Sequence, residues 1–156
     1  MNREAVKEVL RSLAHGVYVL GTGRDASAHL ATVSWATQVS REPPMVAVAL
    51  HRETRVAERT LATAGFTLSP LAADQQPLAS RLGRPADGAS TVAGVALEAS
   101  PTLGLPLPTL ATGWLECRAA SVVPTGDHLL VIGTVIDAGR RAGEPTPLLR
   151  ETGWRY

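Results

Sequence analysis

Apolar and polar residues alternate along residues 30–39 in a way that predicts a β-strand. One phase holds Val33, Trp35, Thr37 and Val39, and small or polar residues occupy the other phase. A period of two is typical of a strand with one buried face, so we expect Trp35 to pack in the core. Residues 45–50 form a second apolar strand, and the short connection at residues 41–44 predicts that the two strands pair antiparallel.

Three stretches carry helical patterns instead. Residues 2–14 place apolar side chains at i, i+3, i+4 and i+7, which predicts an amphipathic helix that Asn2 can cap. Thr54 can cap a second helix that runs to about residue 64. Asp74 can cap a third helix, for which Gly83 is a stop signal.

The remaining strand candidates are short and are joined by turns. They lie at residues 17–20, 66–68, 114–123 and 128–137. Residues 124–127 join the last two strands as a hairpin, and the glycine- and proline-rich stretches 83–94 and 101–108 favour loops. Because the regular strand–helix alternation of a doubly wound sheet is missing, we predict a mainly β chain. The expected fold is an antiparallel barrel with a few peripheral helices.

A glycine motif after the first strand matches a dinucleotide-binding fingerprint in spacing only. Gly21, Gly23 and Ala26 follow the GxGxxG/A pattern. That fingerprint binds a pyrophosphate where it opens a helix, because the helix N-terminus meets the phosphates. Here the chain continues into the strand at residues 30–39, so we interpret the motif as a hairpin turn.

Composition and charge narrow the class of function. The net charge of +1, from 15 basic and 14 acidic residues, provides no basic field for nucleic acid or a membrane surface. The single cysteine, Cys117, excludes an intrachain disulfide, favours a cytoplasmic protein and fits a buried thiol. No targeting segment or membrane-spanning run is visible, and we expect one domain over residues 1–156. The four histidines lack metal-ligand spacing, so we predict no metal site.

Several pieces of the chain follow the order of one known family. Residues 30–50 read LATVSWATQVSREPPMVAVAL, with a Thr-x-Ser strand, a Val-Ser and a Pro-Pro before an apolar strand. Further pieces are HRETR at residues 51–55, FTLSPL at 66–71, LEC at 115–117, GDH at 126–128, PLL at 147–149 and GWRY at 153–156. The set resembles the flavin reductase-like family of FMN-binding split barrels, and SWxxQ is similar to the reductase module of flavodiiron proteins. Ser69 departs from the family's Asn, and residues 82–88 replace an aromatic segment.

The resemblance implies a Greek-key-type split barrel that pairs as a homodimer with flavin near the interface. It implies an NAD(P)H-dependent flavin reductase, in which hydride passes from the nicotinamide to FMN, or to FAD. Reduced flavin would then reach a partner monooxygenase. Two alternatives stay open: a non-enzymatic module that holds FMN or transfers electrons, and a split-barrel protein that uses haem or deazaflavin.

The resemblance also directs attention to particular side chains. Arg52, Thr54 and Arg55 supply two cations, a hydroxyl and a helix N-terminus for the flavin phosphate; the alternative is solvated surface charge. Small and polar residues on the strand predicted at residues 30–39 let its backbone approach the flavin ring; the alternative is that they form an ordinary exposed strand face. The predicted cofactor-binding set is Thr32, Val33, Ser34, Trp35, Gln38, Leu50, His51, Arg52, Thr54 and Arg55.

His128 is the predicted catalytic residue. By resemblance it lies near the flavin and the nicotinamide, where it would position substrate or assist the charge of reduced flavin. The alternative is a structural histidine that bonds across the hairpin. The cofactors carry the hydride chemistry, so the protein's task is to align nicotinamide C4 with flavin N5.

Overall fold

The structure, a computed structural model, describes residues 1–83 and 90–141. The strands are β1 (Tyr18–Thr22), β2 (His29–Val33), β3 (Ala36–Arg41), β4 (Pro44–His51), β5 (Gly65–Pro70), β6 (Leu97–Ala99), β7 (Pro106–Pro108), β8 (Gly113–Thr125) and β9 (His128–Arg140). The helices are α1 (Arg3–Arg11), α2 (Arg55–Thr63) and α3 (Gln76–Gly83). The family-like pieces at residues 147–149 and 153–156, and half of the loop predicted at 83–94, lie outside the described residues.

Seven strands form one antiparallel sheet in the order β2-β1-β5-β8-β9-β4-β3. Val33 of β2 and Val48 of β4, from opposite ends of that order, belong to the same buried cluster, which also contains Phe66 and Cys117. The sheet therefore wraps around one core, and the predicted antiparallel barrel is confirmed. Cys117 is fully buried, as predicted.

The strand predicted at residues 30–39 is two strands. β2 pairs with β1, whereas β3 pairs with β4 through Ala36 and Val48. Residues 34–35 lie between them, because the chain must leave one side of the barrel to join the other. The predicted antiparallel pairing with residues 45–50 is confirmed for β3. Residues 106–108, predicted as part of a loop, form β7 and pair with β6.

Helix α1 begins where its cap predicts, and its apolar face is exposed. The Asn2 side chain accepts hydrogen bonds from the N–H groups of Glu4 and Ala5, at 3.1 and 3.2 Å. The helix ends at Arg11, and none of its residues is buried; Val9 is 65% exposed. Among the residues described, no helix is long and apolar enough to cross a membrane.

The glycine motif is a hairpin turn, as interpreted. β1 and β2 pair antiparallel, and Gly23 takes a φ of +71°, which glycine adopts at little cost. Thr54 caps α2 by accepting a hydrogen bond from Ala57 N–H. Three residues separate the end of β4 at His51 from the start of α2 at Arg55, so the helix N-terminus lies at that end of the barrel.

Candidate functional site

Backbone contacts bring four segments together at the end of β4. The N–H of Ala49 donates to the carbonyl of Trp35 at 2.9 Å, which joins the β2–β3 break to β4. His51 is the register partner of His128, so the end of β4 meets the start of β9. The N–H of Arg52 donates to the carbonyl of Asp127 at 3.1 Å. The loop before α2 is thereby bonded to the β8–β9 hairpin.

Four aromatic rings lie in a row along this junction. The ring centroids of Trp35 and His128 are 4.8 Å apart, and those of His128 and His51 are 5.3 Å apart. His15, from the connection between α1 and β1, lies 6.4 Å from Trp35 on the same measure. We call His15, Trp35, His128 and His51 the ring row.

The expectation that Trp35 packs in the core is wrong. Its side chain is 43% exposed, whereas Val33 of the same predicted phase is buried. The break at residues 34–35 interrupts the alternation of the strand, so Trp35 does not follow the phase of Val33. The exposed indole gives the junction a flat apolar surface against which a planar ligand could stack.

Asp127 fixes the hydrogen bonding of His128. Its Oδ1 lies 2.6 Å from Nδ1 of His128, and this hydrogen bond lowers the pKa of Asp127. A carboxylate only accepts, so Nδ1 of His128 is the donor. In its neutral form His128 then has an unprotonated Nε2, which can accept a hydrogen bond. A histidine that bonds its neighbour and still offers a ring nitrogen can hold a substrate group in one orientation.

The start of α2 supplies donors for an anion. The Thr54 hydroxyl donates to the carbonyl of His51 at 2.6 Å, which ties the helix start to β4. The N–H groups of Arg55 and Val56 lie at the open end of the helix, as the first N–H groups of any α-helix do. Arg52 and Arg55 are exposed beside them. The combination of positive dipole, N–H donors and guanidinium groups is the arrangement that binds phosphate.

Other predicted site residues lie elsewhere. The Thr32 hydroxyl donates to the carbonyl of Ala79 in α3 at 2.6 Å, and Val33 and Leu50 are buried in the core. Gln38 is level with Val46 on β4, five residues from His51, which corresponds to about 17 Å along a strand.

Gln38 instead lines an open pocket of about 340 Å³. Tyr18, Met45 and Leu68 line the same pocket. The ring row contributes no side chain to it. The structure therefore joins Ser34, Trp35, His51, Arg52, Thr54, Arg55 and His128, and separates the side chains of Thr32 and Gln38 from them.

Two residues of the junction were not singled out from the sequence. His15 belongs to no spacing motif, and only the folded chain brings it to Trp35. Asp127 could have been found, because a two-residue hairpin turn leaves it adjacent to His128 at the strand end. Although three histidines share the ring row, no group of three His, Cys, Asp or Glu residues in the described ranges is arranged to hold a metal.

Comparison with known proteins gives consistent findings. The family model of the flavin reductase like domain matches residues 10–153. The NADH:riboflavin 5'-phosphate oxidoreductase of Streptomyces pristinaespiralis is 33% identical over 94% of this chain and 82% of its own length. The reductase component of the Thermus thermophilus 4-hydroxyphenylacetate 3-monooxygenase is 29% identical over 98% of this chain and 95% of its own. The crystal structure of the flavin reductase component of a bacterial two-component tryptophan halogenase superposes with a TM-score of 0.82. That protein is 26% identical, over 93% of this chain and 91% of its own.

Proposed function

The chain belongs to the flavin reductase like domain family, and on that premise we propose that it is an NAD(P)H-dependent flavin reductase. It takes hydride from a reduced nicotinamide, delivers it to FMN and passes reduced flavin to a partner monooxygenase. FMN is the riboflavin 5'-phosphate in the name of the Streptomyces relative, and the Thermus relative is named as a reductase component. Residues 1–156 would form one such domain.

The observation that carries the proposal is the junction of the α2 N-terminus with the ring row. The donor set fits a flavin, since cationic and N–H groups for a phosphate lie beside a flat aromatic surface. Arg52 and Arg55 would hold the phosphate. Thr54, whose hydroxyl donates to the His51 carbonyl and caps the helix, would position the N-terminus of α2 beside it. Ser34 and Trp35 would border the ring, with the backbones of Thr32, Val33, Leu50 and His51 beside them. Gln38 lies too far along β3 to join this set.

Positioning is the protein's own contribution. A bound flavin supplies the ring that accepts hydride from the nicotinamide, so no side chain needs to act as nucleophile. Nε2 of His128, as an acceptor, matches the N–H donors of a nicotinamide carboxamide. Because Nδ1 donates to Asp127, the neutral ring carries its proton on Nδ1 and leaves Nε2 as the acceptor. His128 is therefore the residue that we assign to orienting the nicotinamide.

A homodimer is part of the proposal. Beyond Ala119, none of the described strands pairs with the outer edge of β8. Val122 and Val123 on this stretch are 38% and 44% exposed. An unpaired and uncharged strand edge favours pairing with another chain, and two identical edges can pair around a two-fold axis. The stretch ends at the hairpin that carries His128, so such an interface would lie next to the site.

The test is an absorbance spectrum followed by a nicotinamide assay. We expect the purified chain to bind FMN and to oxidise NADH or NADPH faster than free flavin does. His128→Phe keeps the ring contact with Trp35 but removes both nitrogens. It should lower kcat/KM for the nicotinamide about tenfold, the size of one lost hydrogen bond, with FMN affinity unchanged.

Two outcomes would contradict the proposal. Tight FMN binding without oxidation of either nicotinamide would indicate a flavin-holding module instead of an enzyme. A haem Soret band or a deazaflavin spectrum in the purified protein would indicate a split barrel that uses another cofactor.

A further inference from the structure

His29 is the first residue of β2, and its position is fixed by Thr91 and by helix α2. The buried Thr91 hydroxyl accepts from the N–H of Leu30 at 2.9 Å and lies 3.0 Å from Nδ1 of His29. The described residues contain no other acceptor for the Thr91 hydroxyl proton, and buried hydroxyls donate where they can. Thr91 therefore donates to Nδ1, and Nε2 carries the ring proton.

Helix α2 faces His29 with two cations. One guanidinium nitrogen of Arg59 donates to the carbonyls of Ser27 and Ala28, at 2.7 and 3.2 Å, and so holds the residues before His29 against the helix. Burial, and then the charges of Arg59 and Arg55, lower the pKa of His29. His29 is therefore neutral at physiological pH and close enough to Arg55 to be influenced by its charge.

The Nε2–H of His29 has no partner in the part of the chain that the structure describes. Arg55 precedes Arg59 by one helical turn, so it is on the same face of α2 as the residue that bonds the carbonyls before His29. The guanidinium group of Arg55 has no partner among the described residues, and its N–H opens α2. A fixed neutral donor next to a cation and a helix N-terminus suits a phosphate, because it adds a hydrogen bond without adding repulsion.

We propose that His29 is a further ligand of the flavin phosphate, donating its Nε2–H to a phosphate oxygen beside Arg55. This inference rests on the proposed function, since it adds one donor to the phosphate site at α2. The two ring nitrogens then have separate tasks. Nδ1 accepts from Thr91 and holds the ring, and Nε2 contacts the ligand.

Two conservative variants separate these tasks. His29→Asn keeps an amide group near the position of Nδ1, so it can still bond Thr91, but it has nothing at Nε2. His29→Gln extends its amide to the position of Nε2 and can donate to phosphate. Riboflavin, which has the flavin ring and ribityl chain but no phosphate, is the matched control ligand.

The experiment measures FMN and riboflavin affinity by flavin fluorescence for the full chain and both variants. We expect His29→Asn to weaken FMN binding about tenfold, the size of one hydrogen bond to a charged group, and to leave riboflavin binding unchanged. His29→Gln should bind FMN within about threefold of the unchanged chain, well inside that loss.

Three results would overturn the inference. Unchanged FMN affinity in His29→Asn would show that Nε2 makes no contact with ligand. Equal losses for FMN and riboflavin, or a loss in His29→Gln but not in His29→Asn, would show that His29 acts only through Thr91. Failure of the unchanged chain to bind either flavin would instead overturn the proposed function itself.

Discussion

Glu116 is fully buried in β8, where its carboxylate organises the loop before β7. The Ser100 hydroxyl donates to one carboxylate oxygen, and the N–H groups of Thr102 and Leu103 donate at 3.1 and 2.5 Å. Burial alone would raise the pKa of Glu116, but the hydrogen bonds from Ser100, Leu103 and Thr102 outweigh it and lower the pKa. The charged form is therefore the one that the fold stabilises.

Replacing this carboxylate should destabilise the protein in a pH-dependent way. We expect Glu116→Gln to lower the free energy of unfolding at pH 7 by about 2 kcal/mol, because an amide nitrogen would face hydrogen-bond donors. A lowered pKa stabilises the folded state above the ordinary glutamate pKa, and that contribution is lost as pH falls through the folded value. The gap between variant and unchanged chain should therefore narrow below about pH 4.

Urea unfolding at pH 7 and at acidic pH measures this gap. Glu53→Gln is the matched control, because Glu53 is exposed and its replacement should change the unfolding free energy by less than about 0.5 kcal/mol. A gap of the same size at both pH values would mean that the charge of Glu116 is not what holds the loop.

At the scale of elements, β9 passes over the core at a glycine. A Cβ added at Gly133 would lie 2.7 Å from the Phe66 ring and 3.0 Å from Cβ of Cys117. Both neighbours are fully buried and cannot retreat without moving the core. We expect Gly133→Ala to lower the free energy of unfolding by about 1–3 kcal/mol, the usual effect of overpacking.

Chemical denaturation tests this element directly, with Gly83→Ala as its control. Among the described residues, a Cβ at Gly83 would meet only Cβ of Thr32, at 3.7 Å, which is ordinary contact distance. The control should stay within about 0.5 kcal/mol of the unchanged chain, as substitutions without a clash usually do. Equal stability of both variants would indicate that β9 can shift away from Phe66.

The elements set by local chemistry were predictable from the sequence, and those set by closure of the barrel were not. The caps at Asn2 and Thr54 mark where α1 and α2 begin, because each side chain bonds the adjacent backbone. The break at residues 34–35 has no local signal, because a period of two continues through it. Trp35 was therefore expected in the core and instead lies in the ring row.

The candidate site shows the same division. Arg52, Thr54 and Arg55 were predictable because a helix N-terminus is local. The contacts of His128 with Trp35, and of His29 with Thr91, join residues that are 93 and 62 positions apart in the chain. Such contacts follow from the sheet order, which no spacing motif in this sequence encodes. Gln38 shares the strand pattern of Ser34, but Ser34 lies in the break and Gln38 lies beyond it in β3.

At the scale of the whole molecule, the unpaired edge of β8 leads to the hairpin that carries His128, so a dimer formed through this edge would lie next to the candidate site. The first half of β8 pairs with β5, and its second half pairs with β9 alone among the described strands. In a two-residue hairpin the residues that flank the turn, here Thr125 and His128, form a hydrogen-bonded pair. Along the two strands, hydrogen-bonded and non-hydrogen-bonded pairs then alternate, and Val122 with Val131 is a non-hydrogen-bonded pair. Val122 is therefore a position whose N–H and C=O point away from β9, toward the open edge.

This geometry predicts how a dimer could be broken without unfolding the chain. We expect the unchanged protein to sediment as a dimer and Val122→Pro to sediment as a monomer. Proline removes the N–H that points to the open edge and leaves the hydrogen bonds between β8 and β9 intact. Val122→Thr keeps the N–H and should remain a dimer. Sedimentation velocity over a range of concentrations, with circular dichroism to show that each variant is folded, makes the measurement. A monomeric unchanged chain, or a folded Val122→Pro that stays dimeric, would contradict pairing through this edge.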